Sequence, residues 1–310
     1  MTRNVRIGFA GAGGVGCYFG GMMANAGFDI TLIGRGPHIH NISNNGLVLT
    51  VNDERLPVKL STVDTGDVRS LNQVSELEWI FITCKAHQSE TLMETLRPFI
   101  NPMAKIVSLQ NGVDGPLVLQ NLLKREVMGG LSIRFVAHVT SAGEVTASGD
   151  GYVSMGPYPT GQRREVSMLV SALRSKGLDF RETDNIRREL WRKIVINNGV
   201  NPLCAVIGKD TGHAFSVPEL SAIIDTMMRE AAASALADDV ILTDADVAEL
   251  RAIIFDLGHV KPSMLVDVEH GRQPEINAIS GAVIARAQKL GIKVPVTATI
   301  HRLLSARSRD

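Results

Sequence analysis

The first half of the chain alternates short apolar runs with stretches of small or amphipathic residues. Continuous apolar runs of this length are typical of strands buried on both faces, so we predict strands at residues 5–10, 29–33, 79–84, 105–109, 127–139 and 151–155. Residues 15–26 predict a helix between the first two strands, and Gly27 is typical of the end of such a helix. This alternation predicts an α/β domain with a parallel sheet.

Beyond Asp184 the apolar positions recur with the period of a helix, and a long helix is expected there. Ser216 and Glu219 have the spacing of a capping box, which predicts the start of a further helix. Pro274 fits the first turn of another helix that ends near Gly291. The second half of the chain is therefore expected to be all-helical.

Length and composition agree with two soluble globular domains. The chain has 310 residues, 45% hydrophobic and 21% charged, and we predict an α/β domain over residues 1–183 and a helical domain over residues 184–310. Its 32 basic and 32 acidic residues give zero formal charge, so neither nucleic acid nor an anionic membrane is an expected partner. Cys17, Cys84 and Cys204 show neither a disulfide framework nor a metal-binding pair, which favours a reducing cytoplasm.

One segment has features of a signal peptide or a membrane span. Residues 7–28 carry no charge and follow Arg3 and Arg6. Eight of these 22 residues are glycine, which is costly in a continuous helix, although small-x-small glycine patterns also occur in membrane helices. We favour an interpretation in which the glycines have local roles in a soluble domain.

The glycines form a G-x-G-x-x-G array between the first strand and the following helix. Gly11 would permit a tight turn, Gly13 a close approach of the backbone to a pyrophosphate, and Gly16 close packing of the helix on the sheet. The free N–H groups at the helix start, including those of Gly14 and Val15, would hold the phosphates together with the helix dipole. In this strand–turn–helix context the array predicts a Rossmann-type dinucleotide-binding domain.

The end of the second predicted strand indicates which dinucleotide binds. Arg35 lies there, and no carboxylate occurs between Asp29 and Asp53 to bond the ribose 2′-hydroxyl of NAD. Because a guanidinium can pair with a 2′-phosphate through two hydrogen bonds, we predict NADP(H) as the cofactor; an exposed loop arginine is the alternative. His38 and His40 follow, and without a third ligand nearby we interpret them as surface loop histidines and predict no metal site.

Two polar residues come shortly after later strands. Lys85 follows the predicted strand at 79–84, and Asn111 follows the one at 105–109. Ligands of open parallel sheets lie beyond the carboxyl ends of the strands, so we expect both residues to contact cofactor or substrate. A solvated loop lysine is the alternative for Lys85.

The long helix carries Lys193, Asn197 and Asn201 at spacings of i, i+4 and i+8. Successive members of this series differ by only about 40° around the helix, so all three project from one face, whereas Asn198 belongs to another side. This face either lines a polar site or is wet surface, and we favour the site because the flanking residues are apolar. Glu275 would lie at a helix N-terminus, where simple dipole stabilisation is the alternative to a catalytic role.

The motifs and their order along the chain resemble those of the ketopantoate reductases (2-dehydropantoate 2-reductases), and the resemblance covers nearly the whole chain. The matching positions are the glycine array, Arg35, Lys85, 110–112, 191–193, Asn197, 201–203, 263–265, Asp267, 271–272 and 275–276. The resemblance implies NADPH-dependent reduction of 2-dehydropantoate to pantoate, a step of pantothenate and coenzyme A biosynthesis. It also implies that a homodimer formed through the helical domain is plausible.

The resemblance further implies roles for individual residues. Lys193 corresponds to the general acid, and Glu275 to a glutamate that binds substrate and supports catalysis. Asn111 corresponds to a residue at the junction of cofactor and substrate, and Glu275 is expected near the cofactor as well. The remaining residues that correspond to substrate contacts are Asn197, Asn201 and Ser263, although Ser263 could also be a simple helix cap.

Three positions depart from the family pattern. Asn277 replaces a usual aspartate, Pro274 a common threonine, and His87 a residue that is often aromatic. Lys193 and Glu275 are both retained, so reductase chemistry is expected, but the departures leave a related NADP-dependent reductase of another 2-oxo acid as an alternative. A non-catalytic NADP(H)-responsive binding protein is a third, less favoured interpretation.

Overall fold

The computed structural model of the chain describes residues 5–307. It contains two compact units, and the first of them ends at Ile186. The segment Asn111–Asp114 belongs to the second unit, together with the chain from Arg187 onwards, although the residues on both sides of this segment belong to the first.

One sheet forms the centre of the first unit. Its ten strands within the described residues are β1 (Arg6–Ala10), β2 (Asp29–Gly34), β3 (Leu47–Val51), β4 (Glu54–Val58), β5 (Ser61–Asp64), β6 (Trp79–Ile82), β7 (Lys105–Ser108), β8 (Met128–Ser141), β9 (Glu144–Pro157) and β10 (Phe180–Glu182). Neighbouring strands run parallel in the order β5-β2-β1-β6-β7-β8. This is the strand order of the doubly wound, Rossmann-type fold, and it confirms the predicted α/β class.

The sheet extends further than its parallel part. Strand β8 forms a long antiparallel hairpin with β9; β9 pairs parallel with β3, and β3 pairs antiparallel with β4. Strand β3 was not predicted, because its buried side chains, Leu47 and Leu49, occupy alternate positions rather than a continuous apolar run. The early part of β9 was missed as well, since Glu144 and the glycines after it are unlike a buried strand.

The helices of the first unit are α1 (Gly14–Asn25), α2 (Gly36–Asn45), α3 (Val68–Leu71), α4 (Ser89–Leu96), α5 (Gly115–Leu123) and α6 (Arg164–Arg174). Helix α1 contacts β1, β2, β3, β8 and β9. A Cβ added at Gly20 would lie 2.9 Å from the Leu32 side chain, and one at Gly21 would lie 2.6 Å from that of Leu49. Of residues 7–28, all but Asn25 and Gly27 are buried or half-buried, which accounts for the lack of charged side chains in this segment. Within residues 5–307, no helix has the length and apolar character needed to cross a membrane.

Within the described residues, the regular elements of the second unit are helices joined by loops, as predicted. Its helices are α7 (which spans Ile186–Ile207), α8 (Thr211–Ser216), α9 (Pro218–Ser234), α10 (Asp244–Asp256), α11 (Ser263–Glu269), α12 (Ala282–Leu290) and α13 (Pro295–Arg307). Helix α7 continues past Pro202, which lies inside it.

The capping box expected at Ser216 and Glu219 is wrong. Ser216 is the last residue of α8, and its Oγ donates a hydrogen bond to the carbonyl of His213 at 2.9 Å. Helix α9 begins after Val217 without a side-chain cap. A capping box does occur at the start of α10, where Thr243 and Asp246 cap each other's backbone N–H groups.

The helix expected from Pro274 begins only after Glu275. Its first part is a π-helical turn over Asn277–Gly281, which leads into α12. The helix ends as predicted at Gly291, which adopts the left-handed conformation (φ 66°). The wider π-helical turn begins two positions after Glu275, with Ile276 as its N-cap, and such turns are frequent at functional sites.

Candidate active site

The glycine array of the first unit forms the turn between β1 and α1. Gly11 has φ +122°, and a Cβ there would collide with the backbone nitrogen of Cys84, so both the conformation and the space require glycine. Gly13 is the N-cap of α1, and a Cβ added to it would meet no atom within 4 Å. The backbone at Gly13 is therefore accessible, and the first N–H groups of α1, those of Gly14, Val15 and Gly16, are available to an anion.

Two of these glycines are also needed for packing. A Cβ at Gly16 would collide with the carbonyl oxygen of Gly11, which explains why the helix can start so close to the turn. A Cβ at Gly14 would collide with the carbonyl oxygen of Ala137 in β8. The constraint on Gly14 has no local signal in the sequence, because β8 follows the glycine array by more than a hundred residues.

Arg35 occupies the position between β2 and α2 and is the N-cap residue of α2. Its side chain is exposed and forms no ion pair with any of the described residues. The guanidinium is thus available to bind a phosphate at the carboxyl end of β2.

The interpretation of His38 and His40 as loop residues is wrong, because both lie in α2. His38 is half-buried: its Nε2 lies 3.4 Å from the Cys17 sulfur, and its Nδ1 accepts a hydrogen bond from the Gly143 N–H at 3.0 Å. Burial lowers the pKa of His38 and so favours the neutral form of the ring. The exposed His40 pairs with Asp64, with its Nε2 2.6 Å from Oδ2.

Lys85 lies beyond β6, directly before a short 3₁₀ turn at Ala86–Gln88, and is half-buried. Gln110, the neighbour of Asn111, has a structural role that sequence analysis did not assign. Its buried amide donates hydrogen bonds to the carbonyl of Cys84 at 2.9 Å and to the hydroxyl of Ser89 at 2.7 Å.

In the second unit, helix α7 carries Lys193, Asn197 and Asn201 on successive turns. Lys193 and Asn197 are half-buried, and Asn201 is only 6% exposed. Neither asparagine side chain forms a hydrogen bond with another described residue, so these amides can serve a bound ligand.

Asn198 differs from its neighbour Asn197. It is fully buried, and its amide nitrogen donates hydrogen bonds to the carbonyl of Met227 at 2.9 Å and to Thr297 Oγ1 at 3.1 Å. Its oxygen accepts a hydrogen bond from Ser280 Oγ at 2.8 Å. Asn198 therefore joins α7 to three other segments of the helical core and is satisfied without a ligand.

The electrostatics of Lys193 are shaped by burial and by Glu275. Burial lowers the pKa of Lys193 from 10.5 to about 8, and the negative charge of Glu275 opposes this change. The ammonium form of Lys193 thus predominates at neutral pH, and its pKa is close enough to neutrality for proton donation to be efficient.

Glu275 is also bonded to the segment that the second unit takes from between β7 and α5. The amide nitrogen of Asn111 donates a hydrogen bond to Glu275 Oε2 at 3.0 Å. Lys193, Glu275 and Asn111 all belong to the second unit, and the structure brings these three predicted site residues together. Glu275 therefore interacts with Asn111 and Lys193 in addition to any helix dipole, and its catalytic role stays a prediction.

Ser263 is the exposed first residue of α11. The N-cap of this helix is Pro262, and no side-chain cap is present, so Ser263 does not act as the simple cap considered from the sequence. Of the residues that depart from the family pattern, Pro274 directly precedes Glu275 and Asn277 follows it by two positions. Asn277 bonds to His301, with its Oδ1 3.0 Å from Nε2, and His87 is exposed in the first unit.

A charged cluster that was not predicted lies next to Asn111. Arg286 in α12 pairs with Asp114 through both terminal nitrogens, and its Nε donates to Asp238 Oδ2 at 3.1 Å. The indole N–H of Trp191 donates to the same Asp238 oxygen at 3.1 Å. A lone arginine in an amphipathic helix has no local feature that would have indicated this role. Among the described residues, no group of three or more His, Cys, Asp or Glu could hold a metal ion.

Two protein-family models match the chain. The model described as ketopantoate reductase PanE/ApbA matches residues 7–160, and the model of the C-terminal part of ketopantoate reductase PanE/ApbA matches residues 185–308. A 2-dehydropantoate 2-reductase of Pyrococcus horikoshii is 26% identical over 306 residues, which cover 98% of this chain and 97% of the relative.

Solved structures of ketopantoate reductases have the same fold as this chain. A PanE/ApbA family ketopantoate reductase from Ralstonia eutropha superposes with a TM-score of 0.89 and 27% identity, covering 98% of this chain and 99% of that one. A D-mandelate dehydrogenase in complex with NADH and anilino(oxo)acetate superposes with a TM-score of 0.89 and 25% identity over the same shares of the two chains.

Proposed function

Because the chain belongs to the ketopantoate reductase family, we propose that it reduces 2-dehydropantoate to pantoate with NADPH. The observation that carries this proposal is the grouping of Asn111, Glu275 and Lys193. Asn111 donates a hydrogen bond to Glu275 Oε2 at 3.0 Å, and the negative charge of Glu275 acts on Lys193, whose pKa burial lowers to about 8. A half-buried lysine in this state is suited to give a proton to a carbonyl oxygen on which negative charge develops.

The first unit fits a phosphorylated dinucleotide. At Gly13 an added Cβ would meet no atom within 4 Å, so the backbone there is open to a pyrophosphate beside the N–H groups that begin α1. Arg35 is exposed and without an ion pair among the described residues, as a ligand of a 2′-phosphate must be. We therefore assign the pyrophosphate to the loop at residues 11–16 and the 2′-phosphate to Arg35, with Lys85 as a further cofactor contact.

When bound, the reduced nicotinamide supplies a hydride to the carbonyl carbon of the 2-oxo acid. The electron pair of the carbonyl π bond then moves to the oxygen, which takes a proton from the Lys193 ammonium. Before this transfer, the positive charge on Lys193 stabilises the developing alkoxide. The neutral lysine that remains is reprotonated from solvent, so one hydride and one proton account for the alcohol product.

The other polar residues would bind and orient the substrate. Asn197 and Asn201 offer amide groups with no protein partner among the described residues, and amides hold substrate oxygens without adding charge. Ser263 is suited to the substrate carboxylate, and Glu275 to a substrate hydroxyl as an acceptor. Asn111 would keep the Glu275 carboxylate oriented through their hydrogen bond and would also lie close to the cofactor.

The proposal is tested by adding 2-dehydropantoate to the purified protein with NADPH and following nicotinamide absorbance. We expect substrate-dependent oxidation of NADPH, and Lys193→Ala should abolish turnover while NADPH still binds. Binding of NADPH without any turnover of 2-oxo acids would refute the proposal. That outcome would favour a non-catalytic NADP(H)-responsive protein, in which Lys193→Ala should leave cofactor-dependent signalling intact.

A reductase of another 2-oxo acid is the second candidate. It is supported by the 25% identity and TM-score of 0.89 to a D-mandelate dehydrogenase, and by the presence of Asn277 and Pro274 where the family pattern differs. A panel containing 2-dehydropantoate, pyruvate and the 2-oxo acid that corresponds to mandelate separates the candidates through kcat/KM. A higher kcat/KM for an acid other than 2-dehydropantoate would replace the substrate and leave the reaction class intact.

A further inference from the structure

An ion pair joins the segment Asn111–Asp114 to helix α12 of the second unit. Arg286 is only 8% exposed, and its guanidinium lies between two carboxylates. NH1 donates to Asp114 Oδ2 at 3.0 Å and NH2 pairs with Asp114 Oδ1, whereas Nε donates to both oxygens of Asp238 at 3.3 and 3.1 Å. Bidentate arginine–carboxylate pairs of this kind combine charge attraction with a fixed hydrogen-bond geometry.

A second contact docks the same segment. Gly112 has φ +99°, and a Cβ there would lie 2.9 Å from the carbonyl oxygen of Ala278 in the π-helical turn. The segment thus lies directly on the backbone of the turn that follows Glu275. Asn111, at the start of the segment, bonds to the Glu275 carboxylate at 3.0 Å.

We infer that Arg286 and Asp114 are positioning residues, whose ion pair holds the segment Asn111–Asp114 against α12 and thereby keeps Asn111 bonded to Glu275. Neither residue need touch the substrate; both act through Asn111. This inference rests on the proposed function, because its catalytic consequence is the orientation of Glu275 beside Lys193.

Asp114→Asn tests the inference without leaving an unpaired buried charge. In this variant Arg286 keeps its bonds to Asp238, so the helical core retains a paired guanidinium. The matched control is Asp225→Asn, since Asp225 pairs with Arg251 in the same unit and is likewise partly exposed. It removes the same charge from an arginine–aspartate pair that does not contact the segment.

The decisive measurement is a double-mutant cycle with Asn111→Ala. We expect Asp114→Asn and Asn111→Ala each to lower kcat/KM for the 2-oxo acid by about tenfold, and the double variant to be no slower than Asn111→Ala alone. Asp225→Asn should stay within about twofold of the parent protein. The inference would be refuted if the two single losses of kcat/KM multiplied in the double variant. It would also be refuted if Asp225→Asn lowered kcat/KM as much as Asp114→Asn does.

Hydrogen exchange gives a second readout that does not depend on activity. The amides of residues 111–114 should exchange at least about tenfold faster in Asp114→Asn than in the parent protein, and at the parent rate in Asp225→Asn. Unchanged exchange in Asp114→Asn would overturn the role of the ion pair even if activity fell. If the parent protein reduced no 2-oxo acid, the proposed function would be wrong, and the exchange data alone would decide whether the ion pair holds the segment.

Discussion

Burial lowers the pKa of Lys193 to about 8, and the carboxylate of Glu275 opposes this effect. The two residues are therefore coupled: burial favours the neutral amine of Lys193, and the charge on Glu275 favours its ammonium form. Asn111 is coupled to the pair through its hydrogen bond to Glu275. Each of these links gives a measurable expectation.

The reduction should slow as the solution becomes more alkaline. If Lys193 donates the proton, kcat/KM should fall about tenfold per pH unit above a midpoint near pH 8. Glu275→Gln removes the negative charge that raises this pKa, so the midpoint should move to lower pH. Glu219→Gln, at an exposed position in α9, is the control and should leave the profile in place. A midpoint unaffected by Glu275→Gln would contradict the coupling.

Lys193 should reduce the stability of the folded protein. Its pKa is about 8 when folded and about 10.4 when unfolded, so the unfolded chain binds more protons between these values and stability rises with pH across this window. Lys193→Met should increase the free energy of unfolding at pH 7 by about 1–3 kcal/mol, with a smaller gain at pH 10.5. Urea denaturation at the two pH values tests this, and a destabilised variant at pH 7 would contradict it.

Arg35 should determine the preference between the two nicotinamide dinucleotides. Replacing it with serine removes the proposed ligand of the 2′-phosphate, so KM for NADPH should rise by about 10–100-fold while kcat/KM with NADH changes little. Arg69→Ser, at another exposed arginine of the first unit, serves as the control. An unchanged ratio of kcat/KM for the two dinucleotides would remove Arg35 from the cofactor site.

Asn197 and Asn198 should differ sharply although they are adjacent. Asn198→Leu leaves Met227, Ser280 and Thr297 without their buried partner, so the free energy of unfolding should fall by about 2–4 kcal/mol. Asn197→Leu should cost less than about 1 kcal/mol in stability and instead lower kcat/KM. Denaturation and kinetics on both variants check this; equal stability losses would show that Asn197 is a core residue.

Several features of the protein could be predicted from local sequence. The turn at Gly11 requires a positive φ, which glycine adopts readily. Helix α7 is indicated by the helical period of its apolar residues. Neither feature depends on distant parts of the chain. The order of motifs also identified the family. The wrong prediction of a capping box at Ser216 also has a local cause. A Ser-x-x-Glu pattern permits a capping box but does not require one, and the Ser216 hydroxyl donates to the carbonyl of His213 instead.

The hydrogen bonds that assemble the candidate site could not be predicted in this way. Asn111 and Glu275 are 164 positions apart, and Arg286 lies 172 positions from Asp114. Such pairs form because polar groups that become buried must find partners, and which groups meet depends on how the segments pack.

The amino-acid sequence alone determined the family, the α/β and helical classes and the conformations of the glycine turn, since these depend on neighbouring residues. Tertiary structure decided that His38 is half-buried beside Cys17, that Asn198 belongs to the core while Asn197 does not, and that residues 111–114 join the helical unit. The physical reason is the same in each case. Burial and partner choice are properties of the folded chain, because the free energy of a polar group is set by whatever surrounds it.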